Sequence, residues 1–478
     1  MTAGSRTELL IRPPLRRKKY ARKYDPRPRM VEAYLFFFEK LKAFFLGDGD
    51  GEPLAAEFSI RDRIDECIKA LRNGLMIVVI DLDQGDDPQV IFETLNARGE
   101  PLLPADLLRN YVFFRANNEG INVEDAYEKY WSKFDDEFWR EEVKQGRLVR
   151  PRSDLYMQHF LASQQGRDIP IKHLYVEYRH WIERHAPFEN ITEELATLSR
   201  QGEHFRRIIE PEDDDVIWRL SKFLSDFDIR TAYPLLLALL DEDVDDEEWC
   251  EISDILESYL VRRAVCDLGT KNYNRIFLGL TRVIRKEGAS AEVIRRNLLS
   301  FQGESTVWPD DASFRKSWIS EPLYRSLGNA KLVHLFKRIN QTYMSVKSDP
   351  VSFTEQPSVE HIMPVFWEEY WPLPNGEKGI SVEDRDSFTP ENSRLIASLH
   401  RDEIVNTLGN LTIISTSLNS AQKHYAWKRK KEEIKDHCLL PINQSLFQKE
   451  IWDEEAIEER ANEHLERAVK VWSKPKTG

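Results

Sequence analysis

Ser358-Val359-Glu360-His361-Ile362-Met363-Pro364 sets a carboxylate beside an imidazole at the end of a short apolar run. A second apolar run, Leu408-Gly409-Asn410-Leu411-Thr412-Ile413-Ile414, follows and leads through Asn419 into a segment rich in lysine and arginine. The pattern predicts a strand over 359–362, a long loop, a strand over 411–415 and a basic helix over 418–436. A lone Glu-His pair is an ordinary surface feature and a Gly-Asn pair an ordinary turn. Their joint order carries the reading, because it brings together the parts of metal-assisted phosphodiester hydrolysis. His361 is the expected general base for an attacking water. Glu360 and Asn419 are the expected oxygen ligands of one hard cation, Mg2+ or Mn2+, which would stabilise charge on the phosphate and the leaving oxygen. Asn410 is expected to orient His361 or the strand-loop junction. Lys428, Arg429 and Lys431 are expected to meet DNA phosphates, and Lys423, with His424, to contact substrate or form a plain solvated face.

Glu360 to Pro364, Leu408 to Thr412, Asn419 and Lys428 resemble the HNH-type (His-Me finger) nuclease half of the GmrSD family, bacterial modification-dependent restriction endonucleases. Val90 to Leu102, with Asp106-Leu107-Leu108-Arg109-Asn110 behind it, resembles the family's other half, a ParB-like nucleotide-dependent domain. The resemblance implies a nucleoside triphosphate near Asn96, Arg98 and Asp106, although an asparagine before a glycine at a helix end is ordinarily a cap. It also implies a phage-defence enzyme acting on modified DNA. In relatives an asparagine stands near the position of His424. The Asp-Gly-Gln-Gln-Arg type of signature that opens the ParB-like half does not occur, which argues against nucleotide hydrolysis by this chain alone. That leaves truncation or a separate ParB-like subunit as expectations, and a non-cleaving or partner-dependent DNA-binding subunit as the alternative function. A homo-oligomer is equally compatible.

The chain has 478 residues and a formal net charge of −14. That length suggests two or three domains, and the charge argues against coating DNA with the whole surface, though not against a local basic path. The charges are segregated: residues 1–29 hold ten basic residues against two acids, and residues 241–257 hold ten acids and no base. No apolar run reaches membrane-spanning length, and no apolar core follows the N-terminal charges. Cys67, Cys250, Cys266 and Cys438 are scattered with no Cys-x-x-Cys pair, which fits a reducing, cytoplasmic setting without structural zinc.

In chain order the reading is a basic leader (1–29), a partial ParB-like domain (30–115), a helical region (116–350) and a nuclease domain (351–478). Helices are expected over 30–46 and 60–72, then a strand over 75–80 and a helix from Asp86 to Gly99. Apolar residues at three- and four-residue intervals predict helix after helix through 104–345, with the tryptophans as core. His159, His173, His180, His185 and His204 read as surface or interfacial histidines. The expected fold is mostly α with a small α+β part: a truncated ParB-like remnant, a helical middle and a C-terminal ββα-metal domain.

Overall fold

The computed structural model describes residues 29–46, 59–76, 103–145, 148–242, 244–344, 357–415, 426–437 and 440–476. They divide into two compact units, parted between Ile91 and Phe92. In the first unit, α1 (Arg29–Leu46) and α2 (Ile60–Gly74) lie where apolar spacing predicts helices. Ser59 caps α2 by a reciprocal pair of bonds with Asp62, and the Arg63 guanidinium reaches the carbonyls of Phe44 and Phe45. Tyr34, Phe37, Phe38, Leu41 and Phe44 share the spacing of a buried stripe, yet all are exposed among the described residues. Of the strand expected over 75–80, Leu75 and Met76 carry no strand pairing, and 77–80 lie outside the described residues, as does the helix expected from Asp86 to Gly99.

The second unit is a helical body, with a two-stranded hairpin at one place and a two-stranded sheet at another. Its helices include α3 (Pro104–Asn118), α4 (Arg152–Gln165), α5 (Ile191–Ile209), α6 (Tyr233–Leu240) and α7 (Asp246–Val265). The expected core residues Trp131, Phe138, Tyr156, Phe160, Trp181, Phe205 and Phe223 are buried, while Trp218 is half-buried. The hairpin, β1 (Glu142–Gln145) on β2 (Leu148–Pro151), falls inside a stretch read as helical. Its charged sequence Glu-Val-Lys-Gln-Gly-Arg-Leu-Val-Arg carries no apolar run that would announce strands. Among the described residues no helix is long and apolar enough to cross a membrane.

From α8 (Leu323–Tyr343) onward the chain builds the second sheet. Gly328 interrupts α8 at φ 75°, a left-handed conformation that a β-carbon would penalise. Strand β3 (Pro357–His361) pairs antiparallel with β4 (Leu411–Ser415), setting Val359 opposite Ile413 and His361 opposite Leu411. The connection between the strands was read as loop but contains a helix, α9 (Ser393–Ile404), capped by Asn392. Its inward residues at three-residue intervals are Leu395, Ser398 and Arg401, whereas Ile396 and Leu399 are exposed. An inverted stripe of this kind hides a helix from any search for apolar periodicity. Helix α10 (Trp427–His437) covers the described part of the basic segment, and α11 (Glu454–Val471) closes the chain.

The main core runs from the helices into this sheet without a break, taking in Val359, Leu411, Ile413, Leu465 and Trp472. Charged groups fasten the chain's end to α7. Arg262 donates to the Trp472 carbonyl at 2.5 Å, Ser258 to the Ser473 carbonyl at 2.8 Å, and the Trp472 indole to Glu257 at 2.9 Å. Glu257 also accepts from Arg338 at 2.9 Å and pairs with His334, whose other ring nitrogen faces Asp226. Burial alone would raise the Glu257 carboxyl, but His334, Arg338 and Trp472 outweigh it and hold the group at about 2. His334 goes the other way: burial lowers it, and the two carboxylates raise it above its ordinary value. A depressed carboxyl stabilises the fold above its unfolded pKa, and a raised imidazole does so below its own. The network is therefore strongest between about pH 4.5 and 6.5. We expect the thermal midpoint to fall as pH drops from 4.5 toward 2, and Glu257→Gln to flatten that acid limb. An unchanged limb in the variant would remove Glu257 from the account.

Candidate active site

His361 ends β3 on its buried face and is 8% exposed. Its Nε2 lies 3.3 Å from Oδ1 of Asn406, and the Asn406 amide nitrogen donates to the Asp402 carbonyl at 3.0 Å. That second bond fixes which end of the amide faces the ring: the oxygen. Nε2 must then carry the proton and donate, leaving the lone pair on Nδ1. Tyr324, from the first turn of α8, packs its ring edgewise on the imidazole at 4.2 Å between centroids, and its backbone N–H donates to the Asn406 carbonyl. Burial pushes His361 down to about 4, with the Asn406 bond opposing and the Lys430 charge adding to the shift. Burial thus favours the neutral ring over the imidazolium.

Asn410 is fully buried and spends its whole amide on the loop after His361 and on elements nearby. Its oxygen accepts from the Met363 N–H at 2.8 Å and the Trp452 indole at 3.0 Å. Its nitrogen donates to the carbonyls of Met363 and Val405 at 2.8 and 2.9 Å. The preceding Gly409 lies against α11, where a β-carbon would stand inside contact distance of the Ile457 carbonyl. Arg460 of α11 donates to the carbonyls of Gly409 and Leu411. The Gly-Asn pair is thus a buried junction: glycine for close approach, asparagine to tie the histidine loop to β4.

Glu360, on the opposite face of β3 from His361, meets a residue of the basic helix. Lys430 is 1% exposed; its ammonium donates to Glu360 Oε1 at 2.6 Å and to the His361 carbonyl. Burial lowers the Lys430 pKa, and Glu360 opposes that shift. Lys430 was missing from the expected phosphate-binding set, because in a run of basic residues only the facing strand picks out one of them. The others point elsewhere. Lys428 and Arg429 are exposed, Arg429 pairs with Glu433 along the helix, and Lys431 donates to the Lys449 carbonyl over the Trp427 ring. Asn406 and Tyr324 were missed as well; their meeting with His361 is a tertiary event. A buried pair broken on one side is costly, so Lys430→Met should lower stability by about 3 kcal/mol in urea unfolding. Lys428→Met should stay within about 0.5 kcal/mol of the parent. Equal losses would mean that the pair is worth no more than a surface one.

The comparisons with known proteins bear on this geometry. Residues 308–467 match the model of the C-terminal domain of GmrSD restriction endonucleases, and residues 5–113 match that of the N-terminal domain. Together the matches cover more than half of the chain. The chain belongs to the GmrSD restriction endonucleases. That makes it a DNA-cutting enzyme of a restriction system. No curated protein matches it. The C-terminal GmrSD match contains every residue of the His361 site described above, including Tyr324 on α8. The N-terminal match contains Asn96, Arg98 and Asp106. Asn96 and Arg98 lie outside the described residues, as do Asn419, Lys423 and His424. Asp106 sits in the first turn of α3, where burial raises its carboxyl, Arg109 opposes and Asp135 adds to the rise.

Among the described residues no cluster of three or more histidine, cysteine or acidic side chains could cage a metal. Glu360, the expected carboxylate ligand, lies on the face of β3 opposite His361 and is held by the Lys430 ammonium at 2.6 Å. An ion at Glu360 would have to compete with that ammonium and be completed by waters and phosphate oxygens, as Mg2+ ordinarily is.

Proposed function

We propose that this chain is an HNH-type (His-Me finger) endonuclease that hydrolyses DNA phosphodiesters, with the antiparallel β3–β4 pair and α10 as its ββα unit. One observation carries the reading: a buried His361 at the end of β3 whose Nε2 faces Asn406 Oδ1, with the loop that follows it tied to β4 by Asn410. His361 Nδ1 takes the proton of the attacking water, and Asn406 steadies the imidazolium that results. Glu360 and Asn419 hold a divalent cation, Mg2+ or Mn2+, which supplies positive charge for the scissile phosphate and the leaving oxygen. Lys430 keeps the Glu360 carboxylate compensated and the His361 carbonyl in place. Lys428 and Arg429 are exposed on α10, Arg429 beside Glu433, where DNA phosphates would meet them.

The family resemblance extends the proposal to phage defence, to a preference for modified DNA and to a ParB-like N-terminal half that takes a nucleoside triphosphate. Cleavage of plasmid and of modified phage DNA by purified protein tests it, with Mg2+ or Mn2+, with and without nucleoside triphosphates, and with EDTA as control. Cutting that requires the cation and vanishes in EDTA supports the reading. Cutting that persists in EDTA rejects a metal-dependent HNH site. Cleavage confined to modified DNA supports the substrate preference, and equal cleavage of both rejects it.

A further inference from the structure

Two adjoining cavities, of about 310 and 350 Å3, open in the helical body between α4, α6 and the β1–β2 hairpin, outside both family matches. They share His159, Lys144, Asp228 and Arg230. His159 is 8% exposed and touches Phe205 and Tyr233 ring to ring, at 6.0 and 5.4 Å between centroids. No hydrogen bond joins its ring to another described residue, and its nitrogens are not among the side-chain atoms shut off from solvent, so the cavities can reach them. Its neighbour Gln158 donates to the Ile169 carbonyl at 2.7 Å while its buried Oε1 accepts from nothing described. Arg230 braces the hairpin through the Lys144 carbonyl at 2.8 Å and pairs with Asp228, and the Lys144 side chain is exposed at the mouth.

We propose that this cavity pair binds a nucleotide, with the base against the His159 imidazole and Tyr233 and the phosphate at Lys144 and Arg230. The imidazole offers one donor and one acceptor, and Gln158 an acceptor, which together suit the polar edge of a heterocycle. The volumes fall at the lower end of the range of small-molecule pockets, about 300–1,000 Å3. The nucleotide is either free or an extruded residue of a DNA strand, and both present the same ring and phosphate.

The experiment uses the whole 478-residue chain carrying His361→Ala, so that DNA stays uncut. Calorimetry with the four 2′-deoxynucleoside 5′-monophosphates measures the free ligand. Duplex DNA containing 2-aminopurine, which brightens when unstacked, measures extrusion. His159→Phe fills the same space without a polar edge and should fold as well as the parent, because no internal bond is lost. Lys144→Met alters only an exposed side chain. Saturable monophosphate binding weakened at least about tenfold by either substitution identifies a free nucleotide. Brightening of the duplex that His159→Phe abolishes, with no monophosphate binding, identifies an extruded one. No binding in either arm, or binding that neither substitution changes, overturns the proposal. Such a failure would leave the nuclease reading standing, since that is judged by cleavage at His361.

Discussion

His361→Ala is expected to abolish detectable cleavage while the protein still folds. General-base catalysis by a positioned side chain contributes about 10²- to 10⁴-fold. The whole of that contribution depends on the Nδ1 lone pair, which the bond from Nε2 to Asn406 fixes. Asn406→Leu keeps the imidazole but releases the tautomer and the ring's orientation, so its activity should fall between the parent and His361→Ala. Single-turnover cleavage at saturating Mg2+ separates this from weakened DNA binding, because both substitutions should lower the chemical rate more than the apparent affinity. Circular dichroism and thermal unfolding establish that each variant is folded. If His361→Ala cut at the parental rate, the base would lie elsewhere and the β3 site would be structural.

The parts of this site that could be read from sequence are those whose signal is local. Strand β3 was expected over 359–362 and runs from Pro357 to His361, and β4 occupies the expected 411–415. Both are short apolar runs at the edge of polar loops, and their alternating burial follows from a pleat with one face on the core. The expected helix over 418–436 is present from Trp427 to His437 in the described residues. Asn410 was expected to orient His361 or the strand-loop junction, and its four hydrogen bonds go to the Met363 backbone, the Val405 carbonyl and the Trp452 indole. What could not be read was set by distance along the chain. Tyr324 and Asn406 reach His361 from 37 and 45 residues away, and nothing in their local sequence marks them. Lys430 stands among Lys428, Arg429 and Lys431, and only its register against β3 turns it from a surface charge into the buried partner of Glu360. Helix α9 hid for a different reason: its core-facing stripe includes a serine and an arginine, the latter buried because it pairs with Glu454 and reaches two loop carbonyls. On α1 the apolar stripe revealed the helix but could not reveal whether anything covers it.

Asn410→Leu should be the most damaging single change to the fold of this site. The substitution preserves volume and removes every polar contact of a side chain that is fully buried. Two donors, the Met363 N–H and the Trp452 indole, lose their acceptor, and the carbonyls of Met363 and Val405 lose their donor. Leaving one buried group unsatisfied costs about 1–3 kcal/mol, so even with partial relaxation the loss should be about 3–5 kcal/mol in urea unfolding. Trp452→Phe removes one of the four bonds and should cost about 1 kcal/mol of hydrogen bonding, plus whatever the smaller ring leaves unfilled. Cleavage should decline with Asn410→Leu even at temperatures where the protein remains folded, because the amide is what ties the backbone after His361 to the junction with β4. A loss within about 0.5 kcal/mol would show that water or loop movement replaces these bonds readily. The junction would then be a passive turn, and the positioning of His361 would rest on Asn406 and Tyr324 alone.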